Sequence, residues 1–371
     1  MLRTYKFKLY KNKKLKHIAR LINISGMIYN HCIALHKRYY RLFNKSLDKF
    51  KLQKHITKLK KLAKYSYWNN LGSQAIQNIT ERIDEAYKKF FKKQGGLPSF
   101  KKVRKYKSFT LKGSVGYKLK DNVFILNKRS YKFSKSREID GQIKTVTIKR
   151  DNIGDFWICI SLEVEKINQN NATSYNSVGI DFGLVKFLTL SDNTQIDSPL
   201  FHLTNLLKLK QYNKALSSKK KGSNNRKKAK LNLAKLHIDI TNKRKDYFYK
   251  LANFLADRYN IIYIEDLNMK AMQKLWGRKV SDLAFSKFIN ILSTKTKIIK
   301  INRFYPSSKT CSACGHINEN INSTLKSLKD RTFKCINCNF EIDRDLNASI
   351  NIHRVGASTL SGEVVRATQV A

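Results

Sequence analysis

Acidic residues are scarce in this chain: 26 Asp and Glu stand against 75 Lys and Arg in 371 residues, a formal net charge of +49. Such an excess repels itself in a compact state unless a polyanion neutralises it, and nucleic acid is the natural polyanion. Long apolar runs are missing as well. No stretch approaches the ~18 residues of a spanning helix, and the charge is not gathered on one amphipathic segment, so an anionic membrane is set aside as the partner. The opening residues, MLRTYKFK, have no apolar core of a secretory signal. Cysteine is sparse, with six in all. Four fall into one metal-type pattern, while Cys32 and Cys159 sit in apolar contexts that read as core, so a reducing compartment is expected. The length allows two or three domains with real cores.

What the chain does contain is concentrated near its end. Cys311-Ser-Ala-Cys314 and Cys335-Ile-Asn-Cys338 are two CxxC pairs separated by twenty residues, which supplies four thiolates at a spacing suited to tetrahedral Zn²⁺. A zinc ribbon is expected, with a reactive redox cysteine as the alternative. Directly after it comes Asp343-Arg-Asp345-Leu-Asn347-Ala. Carboxylates on a strongly basic chain are what a metal-dependent nuclease needs.

The periodicity organises the rest. RTYKFKLY, residues 3–10, alternates at period two as a strand with one basic face. Residues 15–44, 48–63 and 73–93 carry apolar positions at helical spacing, a three-helix block closed by Gly95-Gly96-Leu-Pro98. Its aromatic residues, interleaved with lysine, suit either nucleic-acid stacking or simple core packing. The strand signal returns as KSFTL, NVFIL, KTVTIKR and FWICISLEVE. A small β-barrel interrupted by a helical insertion is the economical reading. Asparagine-rich residues 167–176 then read as a linker.

The second half opens on a strand and hairpin, SVGIDFGLVKFLTLSD, followed by a basic helical region over 204–259 broken at SSKKKGSNN into two antiparallel helices. Within 208–250, fifteen Lys and Arg face only Asp239 and Asp246, too one-sided for i,i+4 pairing and better suited to phosphate contact. Ile261-Ile262-Tyr263-Ile264 reads as a strand buried on both faces, ended by Glu265.

Three acids stand out by context. Asp181 follows the apolar run Val178-Gly-Ile180, where burial without a cation is costly. Glu265 ends a buried strand, the usual place for ligands in open sheets. Asp345 opens a helix over 346–352. Each also has a structural reading: a turn residue for Asp181, a strand-end acid for Glu265, a helix N-cap for Asp345.

Taken together, Asp, Glu and Asp on strand, strand and helix follow the order of an RNase H-like nuclease of the RuvC type. The chain resembles the TnpB (OrfB) family of transposon-encoded RNA-guided nucleases, relatives of the type V CRISPR effectors and of the Fanzor proteins. The matching segments are YKFKLY, AYKKFFKK, GLPSFKK, GIDFG, IEDL, YPSSKTCSACG and DRDLNASINI, and they run from residue 1 to about 356. The resemblance implies an α/β multidomain protein: a wedge β-barrel from 1–14 and 98–172, a helical recognition domain over 15–97, a RuvC-like nuclease domain from 173–310 and 339–371, and a zinc ribbon at 311–338 inserted in it. By residue match, Asp181, Glu265 and Asp345 correspond to the catalytic triad holding two Mg²⁺ ions, and Cys311, Cys314, Cys335 and Cys338 to the ligands of one structural Zn²⁺. Asp343 is the nearest rival to Asp345, but the family motif points to the aspartate two residues before the asparagine, which leaves Asp343 a supporting place. Ser73, Gln74, Gln77 and Thr110 match positions that face the target-adjacent duplex.

The implied activity is RNA-guided endonuclease cleavage of double-stranded DNA beside a short motif, with a guide RNA from the transposon end as partner and base pairing reading the sequence. The implied place is the bacterial cytoplasm and nucleoid, or the nucleus for a eukaryotic or viral relative. Two rivals are a strand-transfer transposase on the same fold, whose third acid is normally glutamate, and a non-catalytic nucleic-acid-binding regulator, which an intact triad disfavours. The chain departs from the family pattern at Asn339, where glycine is usual, and at Ile342, where histidine is frequent. Asparagine tolerates the left-handed backbone that a knuckle turn can require, so zinc binding is expected to survive. The segment between Phe285 and Pro306 is a few residues shorter than usual, which leaves its helix and strand open.

Overall fold

A computed structural model describes residues 2–113, 116–164, 176–319 and 331–360. The chain divides into two compact units, Met1–Asn168 and Gln169–Ala371. Most of the asparagine-rich stretch expected as a linker, up to residue 175, lies outside the described residues.

In the first unit, β1 (Leu2–Lys8) precedes three helices, α1 (Leu15–Phe43), α2 (Lys49–Leu59) and α3 (Ser73–Phe91), with a 3₁₀ segment at Ala63–Leu71 between the last two. The helices follow the apolar period: α1 buries Ile18, Leu21, Ile22, Ile28 and Cys32, and α3 buries Ala75, Ile76, Ile79, Ile83 and Tyr87. Asp48 caps α2 by accepting from the Lys51 N–H at 2.8 Å. Strands then follow as β2 (Ser108–Lys112), β3 (Tyr117–Lys120), β4 (Val123–Leu126), β5 (Arg129–Lys132), β6 (Gln142–Arg150) and β7 (Phe156–Glu163). They make two sheets, a four-stranded one in the order β1-β7-β6-β2 and a three-stranded meander β3-β4-β5. The N-terminal strand therefore pairs with β7, antiparallel from Leu2↔Glu163 to Lys8↔Trp157, and the helices are inserted between strands of one sheet. Strands β3 and β5 were not expected. YKLK and RSYK are short and lysine-rich, each burying a single tyrosine, which is too little for a periodic signal.

In the second unit, β8 (Ser177–Phe182), β9 (Lys186–Leu190) and β10 (Gln195–Asp197) lead into α4 (Phe201–Thr204), α5 (Leu206–Ser217) and α6 (Asn224–Arg258). Then come β11 (Ile261–Glu265), α7 (Met269–Trp276), α8 (Arg278–Leu283), α9 (Phe285–Leu292), β12 (Lys297–Ile301), β13 (Thr332–Lys334), β14 (Glu341–Asp343) and α10 (Arg344–Leu360). The main sheet has the order β10-β9-β8-β11-β12, with β9 antiparallel to both its neighbours and the other four strands running in one direction. Both faces of β11 are covered. Ile262 and Ile264 join a core with Phe187, Phe248, Phe285 and Phe288, while Ile261 and Tyr263 pack with Ile352 of α10. The shortened segment after Phe285 thus resolves into α9 and the edge strand β12. Helix α10 reaches the sheet because two residues lack side chains: a Cβ at Gly179 would lie 2.2 Å from the Ser349 carbonyl oxygen, and one at Gly356 would lie 2.1 Å from the Tyr263 ring.

Candidate active site and metal centre

The parallel register sets Ile180 of β8 against Ile264 of β11, so the next residues, Asp181 and Glu265, lie side by side at the carboxyl ends of two central strands. Asp345 arrives from the first turn of α10. Its Oδ2 lies 3.9 Å from where a Cβ on Gly183 would stand, two residues past Asp181. The three acids named from the sequence therefore converge at one end of β8.

Electrostatics report the same gathering. The Asp181 carboxyl is pushed up to about 7 by burial first, then by the charges of Glu265 and Asp345, with the Phe182 N–H and Arg344 opposing. Burial raises Glu265 as well, against a hydrogen bond donated by Ser307. Asp345 accepts from Arg331 Nη1 at 2.8 Å. Three clustered carboxylates form a donor set suited to hard divalent cations. Their oxygens are spread more widely than a single compact cage: among the described residues, the only group of three or more such ligands within 4.8 Å of one another is the cysteine cluster.

The two aspartates of the DRD motif divide their work. Asp343 Oδ1 accepts from the N–H groups of Asp345 and Leu346, both at 2.9 Å, which makes Asp343 the cap of α10. The capping role considered for Asp345 is thus filled by its neighbour, and the Asp345 carboxylate faces Arg331 and Gly183 instead.

The four thiols of Cys311, Cys314, Cys335 and Cys338 all lie within 4.8 Å of one another. The Cys311–Cys338 and Cys314–Cys335 Sγ separations are 3.7 and 3.6 Å. A tetrahedron with Zn–S near 2.3 Å has edges of about 3.8 Å, so the cluster could hold one zinc. Cys314 is held down to about 6, first by the His316 N–H. Cys338 has the Phe340 N–H favouring its thiolate, yet the thiols of Cys314, Cys335 and Cys311 outweigh it and push it up to about 12. Four thiols this close cannot all ionise without a cation among them. The knuckle turns are closed by Gly315 at φ 78° and by Asn339 at φ 56°, so asparagine takes the left-handed position expected of it.

The candidate DNA-reading residues belong to the first unit. Ser73 and Gln77 are exposed and Gln74 half-buried at the start of α3. Ser73 and Gln77 line a shallow groove with Phe50, Gln53, Lys54 and Lys60. Thr110 is different. It is 4% exposed on β2, its hydroxyl paired with Thr147 at 2.7 Å and accepting from Arg82.

Along the basic helices, α5 and α6 pack together as a hairpin, joined where Arg226 donates to the Leu216 carbonyl at 2.6 Å. Asp239 and Asp246, the two acids of the stretch, each pair with the lysine one turn on, Lys243 at 3.1 Å and Lys250 at 2.8 Å. Arg244 turns inward to buried Asp282 at 2.5 Å. Sequence reasoning passed over Ser307, Arg331 and the asparagines of α10. Ser307 and Asn347 stood inside quoted motifs, yet nothing local in the sequence assigned them partners.

Comparison with known proteins bears on this geometry. Residues 158–275 match the OrfB_IS605 family model, described as "Probable transposase", and residues 285–352 match the Cas12f1-like TNB domain. A Streptomyces pristinaespiralis protein named as a proposed RNA-guided DNA endonuclease is 26% identical over 98% of this chain and 92% of its own length. A protein of Escherichia coli K12 with the same designation is 26% identical over 94% and 91%. The chain is similar to proteins of the OrfB type. A TnpB-like protein of Acanthamoeba polyphaga mimivirus is 33% identical over 57% of this chain and 43% of its own length. Among solved structures, that of a Cas12f1–sgRNA–target DNA complex superimposes with a TM-score of 0.58 at 18% identity, covering 92% of this chain and 83% of that one. At that identity the likeness speaks for the fold alone.

Proposed function

We propose that this protein is a transposon-associated, RNA-guided DNA endonuclease that cleaves phosphodiester bonds with divalent metal held by Asp181, Glu265 and Asp345. The observation that carries the reading is the convergence of these three acids at one end of β8, where burial first, and then the charges of Glu265 and Asp345, raise Asp181 to about 7. The kinship with proteins named as RNA-guided DNA endonucleases over nearly their full length supports it. A RuvC-like assignment fits the mixed sheet with the acids at strand ends and at the start of α10, and a zinc ribbon fits the thiol cluster. In the same reading the wedge barrel, 1–14 and 98–172, whose last residues lie outside the described ones, and the recognition helices, 15–97, belong mainly to the first unit, and the nuclease, 173–310 and 339–371, around the ribbon at 311–338, to the second.

Two Mg²⁺ ions, when bound, would activate water and stabilise the leaving 3′ oxygen of an in-line displacement. The chain's own contribution is placement. Neighbouring strands hold Asp181 and Glu265, Asp343 fixes the first turn of the helix that brings Asp345, and the sheet edge keeps the site half-buried, which strengthens each carboxylate's attraction for a cation. One Zn²⁺ on Cys311, Cys314, Cys335 and Cys338 would tie down the segment preceding α10. Guide RNA and target duplex are the partners, with the exposed lysines of α5 and α6 on phosphates. Ser73, Gln74 and Gln77 face the target-adjacent DNA, and Thr110 acts on it only through Arg82. The reading places the protein with the nucleoid of a bacterial host, or in the nucleus for a viral or eukaryotic one.

The test is cleavage by purified protein with RNA that copurifies with it, sequenced to define the guide. Matched duplex beside the correct motif should be cut in Mg²⁺, with mismatches near that motif hurting most. Equal cutting with and without RNA would point to a general nuclease, and joining of DNA ends to strand transfer.

A further inference from the structure

The segment Pro306–Ser312 runs between the strand that ends in Glu265 and the helix that begins near Asp345, and it is bonded to both. Ser307 is 5% exposed and donates its hydroxyl to Glu265 Oε1. The carbonyl of Ser307 accepts from Asn351 Nδ2 at 2.9 Å, and the same amide reaches the Thr310 carbonyl at 2.7 Å. One turn earlier on α10, Asn347 closes a second clamp: its Nδ2 donates to the Thr310 carbonyl at 2.7 Å, and its Oδ1 accepts from the Ser312 N–H at 2.8 Å. Arg354 adds a bond to the Ser312 carbonyl at 2.6 Å. Both asparagines are fully buried.

We propose that Ser307 is a positioning residue for Glu265, and that the Pro306–Ser312 segment, gripped by Asn347 and Asn351, is the strut that fixes Glu265 relative to Asp345. The inference rests on the reading of Glu265 and Asp345 as metal ligands given above. Its physical basis is that neither secondary-structure element fixes this spacing by itself. Helix α10 meets β11 at Ile352 and Gly356, seven and eleven residues past Asp345, about 10 and 16 Å along the helix at 1.5 Å per residue. Its nearer contact, Ser349 on Gly179, is with β8, so the packing leaves the spacing of Asp345 from Glu265 to other bonds. Glu265 is also the last residue of its strand, and the terminal torsion of a glutamate side chain is soft. A donor on Oε1 restrains that rotation and, among the described residues, leaves Oε2 to a cation. Asn347 and Asn351 lie four residues apart on one face of α10, and both spend their amides on the segment that carries Ser307. The same bonds join the first cysteine knuckle to α10 at Thr310 and Ser312.

A merely structural Ser307 would anchor a loop, and its loss would move stability or zinc content. A positioning Ser307 moves the affinity of the acids for metal in a protein that is otherwise intact. The measurement is calorimetric titration of Mn²⁺ into the full-length, zinc-loaded protein free of nucleic acid. Ser307→Ala should bind Mn²⁺ about 10–100-fold more weakly while keeping its zinc and a cooperative melt. Ser307→Thr, which retains the hydroxyl, should bind closer to wild type. The Mg²⁺ concentration for half-maximal cleavage should rise in parallel, with the plateau rate changed less. Where Ser307→Ala does not fold, Ser307→Cys keeps the size with a weaker donor and carries the same expectation at smaller amplitude. Unchanged Mn²⁺ affinity in either folded variant, beside a Glu265→Gln variant that has lost it, would overturn the strut and leave the active-site reading standing. Mn²⁺ binding that survives Glu265→Gln would overturn both.

Discussion

Both compact units pair buried charge, as Arg244 does with Asp282 in the second, but the second also gathers carboxylates at one place. In the first, polar groups close on one another. Asp155, 4% exposed, takes Lys8 at 2.5 Å and Lys11 at 3.1 Å. Asp151 accepts from the Trp157 indole and from the N–H groups of Ile153 and Asp155. His31 and His55 meet through their Nε2 atoms at 3.0 Å, a contact in which one ring must donate and the other accept. In the second unit, like charges are also gathered: burial and then the charges of Glu265 and Asp345 raise Asp181, and burial raises Glu265. Charge that serves the fold is neutralised within it, whereas charge assembled against its own repulsion calls for a cation from outside.

The comparison breaks most visibly at the triad. Asp181→Ala, Glu265→Ala and Asp345→Ala should each lower guided cleavage by more than roughly 10²-fold with RNA binding largely retained, since the +49 charge dominates affinity. Asp343→Ala should lose helix stability, about 1 kcal/mol for a lost cap, and keep measurable cleavage. Robust cutting by Asp345→Ala beside an inactive Asp343→Ala would reverse the assignment.

Thiols sharpen the contrast next. Elemental analysis should find one zinc per chain, lost in Cys335→Ser together with roughly 10 °C of melting temperature, at about 2–4 °C per kcal/mol. Cys32→Ala, whose thiol is buried in the first unit's core, should keep its zinc.

A subtler split appears with pH, in Mg²⁺-free buffer with zinc retained. Folding raises Asp181 from 3.8 to about 7, so the folded chain holds a proton that the unfolded chain has released, and stability should fall as pH rises across that window. Asp181→Asn should flatten this slope. The His31–His55 pair has the other sign. Burial, then the neighbouring ring, holds His31 below its ordinary 6.5, and burial, then Lys58, does so for His55, so their contribution is present above pH 6.5 and is lost as pH falls below it. Melting curves of wild type, Asp181→Asn and His55→Gln across this range separate the two.

The smallest effect belongs to the exposed lysines of α6. Reversing Lys228, Lys230 and Lys235 should weaken nucleic-acid binding and reduce its logarithmic salt dependence by roughly 0.9 per lost phosphate contact. The choice of target should not change.

What the sequence revealed follows the reach of its signals. Continuous apolar residues marked β11, and helical spacing marked α1 and α3, because burial imposes a local period. The CxxC pairs and the left-handed Asn339 were legible for the same reason, since a knuckle turn is a local object. The roles of Asp343 and Asp345 could not be separated by spacing, and only the hydrogen bonds of the helix cap distinguish them. Thr110 looks like any strand threonine, and nothing beside it in sequence tells that Arg82 and Thr147 enclose it. The strut joining Glu265, Ser307 and Asn351 was invisible because it is made of bonds between residues more than forty positions apart.

The central claim is that the second unit's acids are assembled for divalent metal. Anomalous diffraction from crystals of the zinc-loaded protein soaked in Mn²⁺ tests it most directly. Manganese peaks bounded by Asp181, Glu265 and Asp345, about 4 Å apart where two are present, are the expected result. Well-ordered acids with no manganese beside them at saturating Mn²⁺ would contradict it.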